Sequence, residues 1–282
     1  MSDPGEKPRP DWARFVRLAW TSAFSALGRM PLLFLSSAVL YVAFGIADHW
    51  FWSSLGSIFD GLPAVFRSVA ILLMALPELV IDAWLLAPVA VAVHRFVILE
   101  ETSRGFSILR QTCVRSFAIW TFCVQLVLLI VGFITQRGDS GFFHFLGYVA
   151  LIILFARTLL IFPAIAIDVP SASVADRIEA GLSSSRGLFW STVIGLVMAV
   201  LPLMLTEIAP ALGEALIDSL HAMNPDWVAA PQFDGGFLTA ILDDFLHPLI
   251  TGVIAALASW LYLWAQEYPF QAAVVPQPPP QI

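Results

Sequence analysis

Six stretches of this chain are apolar over the length that a helix needs to cross a membrane, and no other feature constrains its fold as strongly. A membrane-spanning helix takes about 20 consecutive, mostly apolar residues. We therefore predict an all-α, polytopic membrane helix bundle with six transmembrane helices, which forms a single domain over residues 11–266. The predicted spans are residues 31–49, 68–95, 116–135, 142–167, 188–206 and 245–266.

The composition supports the same class. Hydrophobic residues make up 59% of the chain and charged residues 12%, about half the share of roughly 25% that is usual in soluble domains. A surface this apolar is poorly suited to water. The net charge of −7 comes without the basic patch that nucleic-acid binding requires, so we predict membrane lipids and no nucleic acid as partners. Cys113 and Cys123 fit neither a disulfide framework nor a CxxC metal site.

Both ends of the chain differ from the apolar domain between them. Residues 1–10 are polar and residues 267–282 are rich in proline, and we predict that both segments are disordered. Asp3, Glu6 and Asp11 precede the first long apolar run, which is not the pattern of a cleavable signal peptide. We therefore expect the N-terminal segment to be retained.

The distribution of positive charge predicts an orientation in the membrane. Cytoplasmic loops of membrane proteins carry an excess of Lys and Arg. With six spans, 11 of the 14 Lys and Arg residues fall on the side of both termini, whereas Arg67 and Arg137 fall on the other side and Arg157 lies within a span. Residues 207–244 add a long acidic loop to that other side. We therefore predict a multi-pass protein of a bacterial inner membrane with both termini in the cytoplasm.

Amphipathic segments, which we call elbows, precede the odd-numbered spans. In DWARFVRLAWTSAFSALGRM, from Asp11, apolar side chains follow one helical stripe while Arg14 and Arg17 lie opposite. Such a helix can lie among lipid headgroups, either as a simple lead-in to the first span or as a lipid-sensing or partner-docking helix. GFSILRQTCVR and SVADRIEAGLSSSRG precede the third and fifth spans in the same way. An elbow followed by two spans thus recurs three times as a weak repeat, in which Pro88 aligns with Pro163.

Arg157 is the only charged residue between Leu151 and Ile167. Asp82 and Arg157 each lie six residues before an aligned proline, which predicts similar depths in the membrane. A lone arginine at mid-bilayer costs from roughly 3 to more than 10 kcal/mol. We therefore predict that Arg157 pairs with Asp82, with Glu78 as the alternative partner. The resulting intramembrane polar cluster would act as a link between helices, or as a site that binds an anionic headgroup or relays protons.

Other polar residues in or beside the spans are expected to have local roles. Gln125 in the third span should form a hydrogen bond across helices, because an amide in hydrocarbon needs a partner. His94 and Arg95 end the second span, and Glu100 and Glu101 follow. We expect an interfacial anchor and a neighbouring ion pair there.

Carboxylates and histidines also occur together in and after the acidic loop. Glu214, Asp218 and His221 share one predicted helix face, and Asp243 and His247 follow in the sequence near the start of the last span. Such residues are candidate ligands for Zn²⁺ or Mn²⁺. The solvated acidic face of a surface helix explains the same pattern, and we favour it. We therefore predict neither a metal nor a cofactor.

No catalytic motif is present, since the sequence lacks HExxH, GxSxG, Walker A and GxGxxG patterns. The chain resembles a family of bacterial inner-membrane proteins in three features. These are the order of elbows and hairpins, the stretch APVAVAVHRFVILEE, and the stretch LLIFPAIAID followed by SASVADRIEAGLSSSRGLFW. This family comprises the membrane domain attached to some glycerophosphodiester phosphodiesterases and the related YciC-like proteins. The resemblance covers most of residues 10–266, without the phosphodiesterase barrel, and so implies no hydrolase activity.

Two functions follow as expectations. The first is a non-enzymatic multi-pass inner-membrane protein with a lipid-facing or envelope-maintenance role. The alternative is a small transporter or lipid carrier that uses Glu78, Asp82 and Arg157 as an intramembrane polar site.

Overall fold

The computed structural model describes residues 11–61, 63–103, 105–136, 141–167, 173–185, 188–202 and 235–267. All the regular secondary structure of these residues is helical, which confirms the predicted all-α class. In chain order the helices are α1 (Trp12–Arg29), α2 (Pro31–Asp60), α3 (Ala64–Leu99), a 3₁₀ helix (Gly105–Arg110), α4 (Thr112–Gln136), α5 (Gly141–Thr158), α6 (Ile161–Ala166), α7 (Val174–Ser184), α8 (Phe189–Pro202) and α9 (Gly235–Glu267).

Five helical segments are long and apolar enough to cross a membrane, and they coincide with five of the six predicted spans. These segments are Pro31–Leu55, Val69–Leu99, Thr112–Ile134, Phe145–Ala166 and Ile241–Glu267. The remaining predicted span, residues 188–206, is an apolar helix over its described part, Phe189–Pro202. Residues 203–234, which include the last four residues of this span and most of the acidic loop, lie outside the described residues, as do residues 1–10 and 268–282.

The surface of the bundle is apolar along the spans. Large hydrophobic side chains are exposed on α2, α3 and α5, including Leu32, Phe66, Phe145 and Tyr148. A continuous apolar surface of this kind is stable in hydrocarbon and not in water. The chain is therefore a membrane protein.

The core lies where the second half of α3 meets α6 and α9. Residues 87–94 of α3 and 161–166 of α6 are buried, as is most of α9 from Gly252 to Tyr262. Helices α1 and α4 pack around this core. Because α3 and α9 are buried on several sides here, they form the centre of the bundle.

Helix α1 is amphipathic, as predicted, and its apolar face packs on the bundle. Asp11 caps its N-terminus by accepting a hydrogen bond from the Arg14 backbone N–H, at 3.3 Å. Phe15 and three alanines are buried, and α1 packs mainly against α9. Trp260 of α9 donates a hydrogen bond from Nε1 to Ser22 Oγ, at 3.1 Å. In this structure α1 is thus docked on the last span as well as leading into the first.

The element order follows the predicted repeat of an elbow and two spans. The first unit is α1, α2 and α3, the second is the 3₁₀ helix, α4 and α5–α6, and the third is α7, α8 and α9.

The second elbow differs from the amphipathic helix predicted over residues 105–115. It is a six-residue 3₁₀ helix, because α4 already begins at Thr112. Cys113 and Val114 are buried, so the first turn of α4 belongs to the core and leaves a short elbow.

The two aligned prolines have different effects on their helices. Helix α3 is continuous through Pro77 and Pro88, whereas the chain is interrupted at Leu159–Leu160, between α5 and α6. Proline has no N–H to donate, and its ring clashes with the carbonyl four residues earlier. For Pro163 that carbonyl belongs to Leu159, which is where the interruption begins.

Candidate functional site

The predicted ion pair between Arg157 and Asp82 is wrong. Arg157 is exposed, while its neighbours Ala156 and Thr158 are buried. Within the described part of the chain, no ion pair joins Arg157 to Asp82 or to the alternative partner Glu78. The three residues therefore do not form one cluster.

Arg157 differs from Asp82 in its surroundings, because its side chain is exposed on the outer face of α5. Asp82, for its part, already has a partner in the bundle.

Asp82 belongs to a polar cluster formed with Gln125 and His247. Gln125 donates a hydrogen bond from Nε2 to the Asp82 carboxylate, which confirms the predicted inter-helix bond of Gln125. His247 lies close enough to Asp82 for an electrostatic interaction. The ring of His247 stacks on Tyr41, with ring centroids 4.5 Å apart. This polar cluster thus joins α2, α3, α4 and α9.

A group of carboxylates extends the polar cluster along α2, α3 and α9. Glu78 accepts a hydrogen bond from Trp52 and lies near Asp48. Asp244 interacts electrostatically with Asp48 and with Asp243, its neighbour in α9. Glu78 is therefore part of a polar site, but its neighbours are these residues and not Arg157.

Gly45 of α2 lies directly against the carboxylate of Asp244 in α9. A Cβ atom at Gly45 would overlap the carboxylate of Asp244. A larger residue at this position would displace Asp244, because the carboxylate occupies the space that a side chain would need. A side chain at position 45 would therefore be accommodated only if the Asp244 carboxylate turned away.

The predicted metal ligands do not form a metal site in the described residues. Glu214, Asp218 and His221 lie outside them. Asp243 is exposed, and His247 belongs to the polar cluster. Within the described ranges there is no group of three His, Cys, Asp or Glu residues that could hold a metal ion.

An apolar cavity of about 300 Å³ adjoins the polar cluster and is lined by residues of α3, α4, α5, α6 and α9. This volume lies at the lower end of the range for small-molecule sites, about 300–1,000 Å³. The lining is mostly aliphatic and aromatic. Its polar members are His94, Thr121, Gln125, His247 and Thr251.

Two oxygen atoms on the α4 side of this cavity have no hydrogen-bond partner. Thr121 Oγ1 and Gln125 Oε1 are both buried and unpaired within the described residues. The two side chains are four residues apart on α4 and therefore lie on one helix face. A buried polar atom without a partner costs about 1–3 kcal/mol, and both atoms belong to residues that line the cavity, although the atoms themselves are shielded.

His94 lies at the other end of the cavity and is buried, which corrects its predicted role as an interfacial anchor. Its Nδ1 lies 2.8 Å from Ser259 Oγ, and the Ser259 hydroxyl donates to the Ala255 carbonyl at 2.9 Å. Because that hydroxyl proton is used, His94 must donate from Nδ1. The predicted ion pair next to it, between Arg95 and Glu101, is confirmed at 2.6 Å.

The sequence identified Asp82, Glu78 and Gln125 as buried or intramembrane polar residues, but it missed Thr121 and the role of His94. The signal for Thr121 was its spacing of four residues from Gln125, which places both on one face of α4. Comparisons with protein-family models, with curated proteins and with solved structures give no match. The resemblance to the phosphodiesterase membrane domains and YciC-like proteins stays a prediction.

Proposed function

We propose that this chain is a multi-pass protein of a bacterial inner membrane that handles membrane lipids without catalysing a reaction. Its role is lipid-facing or envelope-maintaining. The cavity between α3, α4, α5–α6 and α9 carries this proposal, because it is apolar, has a few polar groups and lies within helices whose outer faces are hydrophobic. Lipids are the most abundant apolar molecules around such a cavity.

The dimensions of the cavity support a lipid chain as its occupant. Its lining runs from His247 to Ala258 on α9 and from Phe117 to Leu128 on α4, and the first and last of twelve helical residues lie about 16 Å apart. A site of about 300 Å³ that extends over this length is elongated, as a single hydrocarbon chain is.

Lipid analysis of the purified protein tests this function. The protein is extracted in detergent, and its bound lipids are identified and counted by mass spectrometry. We expect one lipid class at a stoichiometric amount in the wild type and a large loss in Ala90→Leu, which fills the cavity that Ala90 lines. Ala150→Leu, at an exposed position of α5, is the matched control. Equal amounts in all three proteins, or only a non-selective mixture of membrane lipids, would exclude lipid binding in the cavity.

The proposed orientation places both termini in the cytoplasm. It is supported by the excess of Lys and Arg on that side. Single cysteines at Thr102 and Gly61, in a chain with Cys113 and Cys123 replaced, test it. In intact cells a membrane-impermeant maleimide should label position 61 and not position 102. The reverse labelling pattern would show that the orientation is opposite to the one proposed.

A small transporter is the second candidate, because ionisable residues within membrane spans mark ion and proton pathways. Asp82 and His247 are close to each other beside the cavity. Proton flux into proteoliposomes that contain the wild type, but not Asp82→Asn, would favour this function over passive lipid binding. Equal flux in the two proteins would argue against it.

A further inference from the structure

We infer that the cavity binds an uncharged lipid alcohol, whose hydroxyl group forms hydrogen bonds with Thr121 and Gln125. This inference rests on the proposed lipid-handling function and specifies the chemistry of its ligand. It is carried by the two unpaired oxygen atoms in the cavity wall.

The cavity has a polar half and an apolar half. Thr121 and Gln125 of α4 come together with His247 and Thr251 of α9 in the polar half. The apolar half is lined mainly by phenylalanine and alanine side chains of α4, α6 and α9, and ends at His94. A ligand with one polar group and a hydrocarbon chain matches this division, with its polar group beside α4 and its chain between α6 and α9.

A hydroxyl group matches both unpaired atoms at once, because it is neutral and can donate one hydrogen bond while it accepts another. Gln125 Oε1 can only accept a hydrogen bond, because the amide nitrogen carries the hydrogens. Thr121 Oγ1 can donate its proton. A ligand hydroxyl would donate to Gln125 and accept from Thr121, whereas an ether or ester oxygen can only accept and would leave Gln125 Oε1 unpaired. Both oxygen atoms are shielded in this structure, so this binding mode requires the side chains of Thr121 and Gln125 to turn toward the cavity that they line.

The charge of the site argues against an anionic ligand. The Nε2 of Gln125 is already bound to the Asp82 carboxylate, which places a negative charge next to the polar half. None of the described residues that line the cavity is Lys or Arg. A carboxylate or phosphate would thus be desolvated beside a like charge without a cation to pair with, which is strongly unfavourable.

Binding of matched probes to the full chain in detergent tests this inference. Native mass spectrometry compares decan-1-ol, decane and decanoate. We expect decan-1-ol to bind about tenfold more tightly than decane, which corresponds to about 1.4 kcal/mol, and decanoate to bind more weakly than decan-1-ol. Monodecanoylglycerol distinguishes two sources of the hydroxyl: tighter binding than decan-1-ol indicates a glycerol lipid, and equal binding indicates a simple lipid alcohol. Either result supports the inference.

Thr121→Val isolates the hydroxyl contact. The valine keeps the shape of the side chain and removes the hydroxyl, so the preference for decan-1-ol over decane should disappear. Because the removed oxygen has no partner in the described structure, the midpoint of thermal unfolding should not fall. Thr192→Val is the matched control: Thr192 is buried in α8, its hydroxyl donates to the Leu188 carbonyl at 3.0 Å, and it does not line the cavity. This variant should keep the preference. Thr121→Ala repeats the test in case the valine does not fit.

The possible failures are distinguishable. Equal binding of decan-1-ol and decane, or an unchanged preference in Thr121→Val, overturns recognition of the hydroxyl and leaves hydrocarbon binding in place. If no probe binds, the proposed lipid-handling function fails together with this inference.

Discussion

Helix α7 crosses the start of α6 at Gly181, and this contact predicts a large effect of a single added methyl group. In Gly181→Ala, the Cβ atom would lie 2.6 Å from Ile161 Cα and 2.9 Å from the Leu160 carbonyl oxygen. Both are backbone atoms of a buried segment, and neither can turn aside as the end of a side chain can. The two helices would have to separate by about 0.8 Å to restore an ordinary contact of 3.4 Å.

The cost follows from two opposing contributions. Overpacking a buried contact costs roughly 1–3 kcal/mol, and the upper part of that range applies because the overlap involves backbone. Alanine is favoured over glycine within a helix by about 1 kcal/mol. We therefore expect Gly181→Ala to lower the free energy of unfolding by about 2 kcal/mol.

Thermal or denaturant unfolding in detergent, followed by tryptophan fluorescence, measures this change. Gly132→Ala is the control, because a Cβ atom at Gly132 in α4 meets no atom within 4 Å. That variant should gain up to about 1 kcal/mol from helix propensity alone. If Gly181→Ala proved as stable as Gly132→Ala, the close packing of α6 on α7 would be refuted.

Three further predictions concern individual hydrogen bonds and charges. Hydrogen bonds from Ser173 lower the pKa of Asp176 in the cap of α7, so its contribution to stability is complete above the usual carboxylate pKa and is lost as the pH falls through the lowered one. The protection of α7 amides from hydrogen exchange, measured relative to the intrinsic rate at the same pH, should therefore decrease at acidic pH in the wild type, and Asp176→Asn should lack this dependence. Arg157→Gln should change the free energy of unfolding by less than about 0.5 kcal/mol, because the side chain is exposed; a loss above about 2 kcal/mol in chemical denaturation would indicate a buried partner. Ser259→Ala should destabilise the protein by about 1–3 kcal/mol, because it leaves His94 Nδ1 without its acceptor; equal stability to the wild type would show that His94 bonds elsewhere.

The positions of the spans could be predicted from the sequence because length and hydropathy alone determine them. A run of about 20 apolar residues needs no knowledge of its neighbours to be recognised as a span. Gln125 was also predictable, since an amide in an apolar helix must find a partner on another helix. Its bond to Asp82 confirms that reasoning.

The pairing of Arg157 was not predictable, because it depends on how each helix is rotated about its axis. Equal distance from an aligned proline gives a similar depth for Asp82 and Arg157, but not a shared direction. Asp82 points toward α4, whereas Arg157 lies on an exposed face of α5. His247 was misassigned for a related reason: its helix begins at Gly235, ten residues before the predicted span, so His247 lies well inside α9.

The interruption at Leu159–Leu160 has a mechanical consequence for the fourth span. Helix α6 is fully buried and docked on α7, while α5 contacts the bundle over a smaller surface. Without a continuous ladder of backbone hydrogen bonds between them, α5 can change its tilt while α6 keeps its place. The protein would then adapt to a thicker or thinner bilayer by a change of angle at Leu159–Leu160. The packing of α6 in the core would not have to change in response to hydrophobic mismatch.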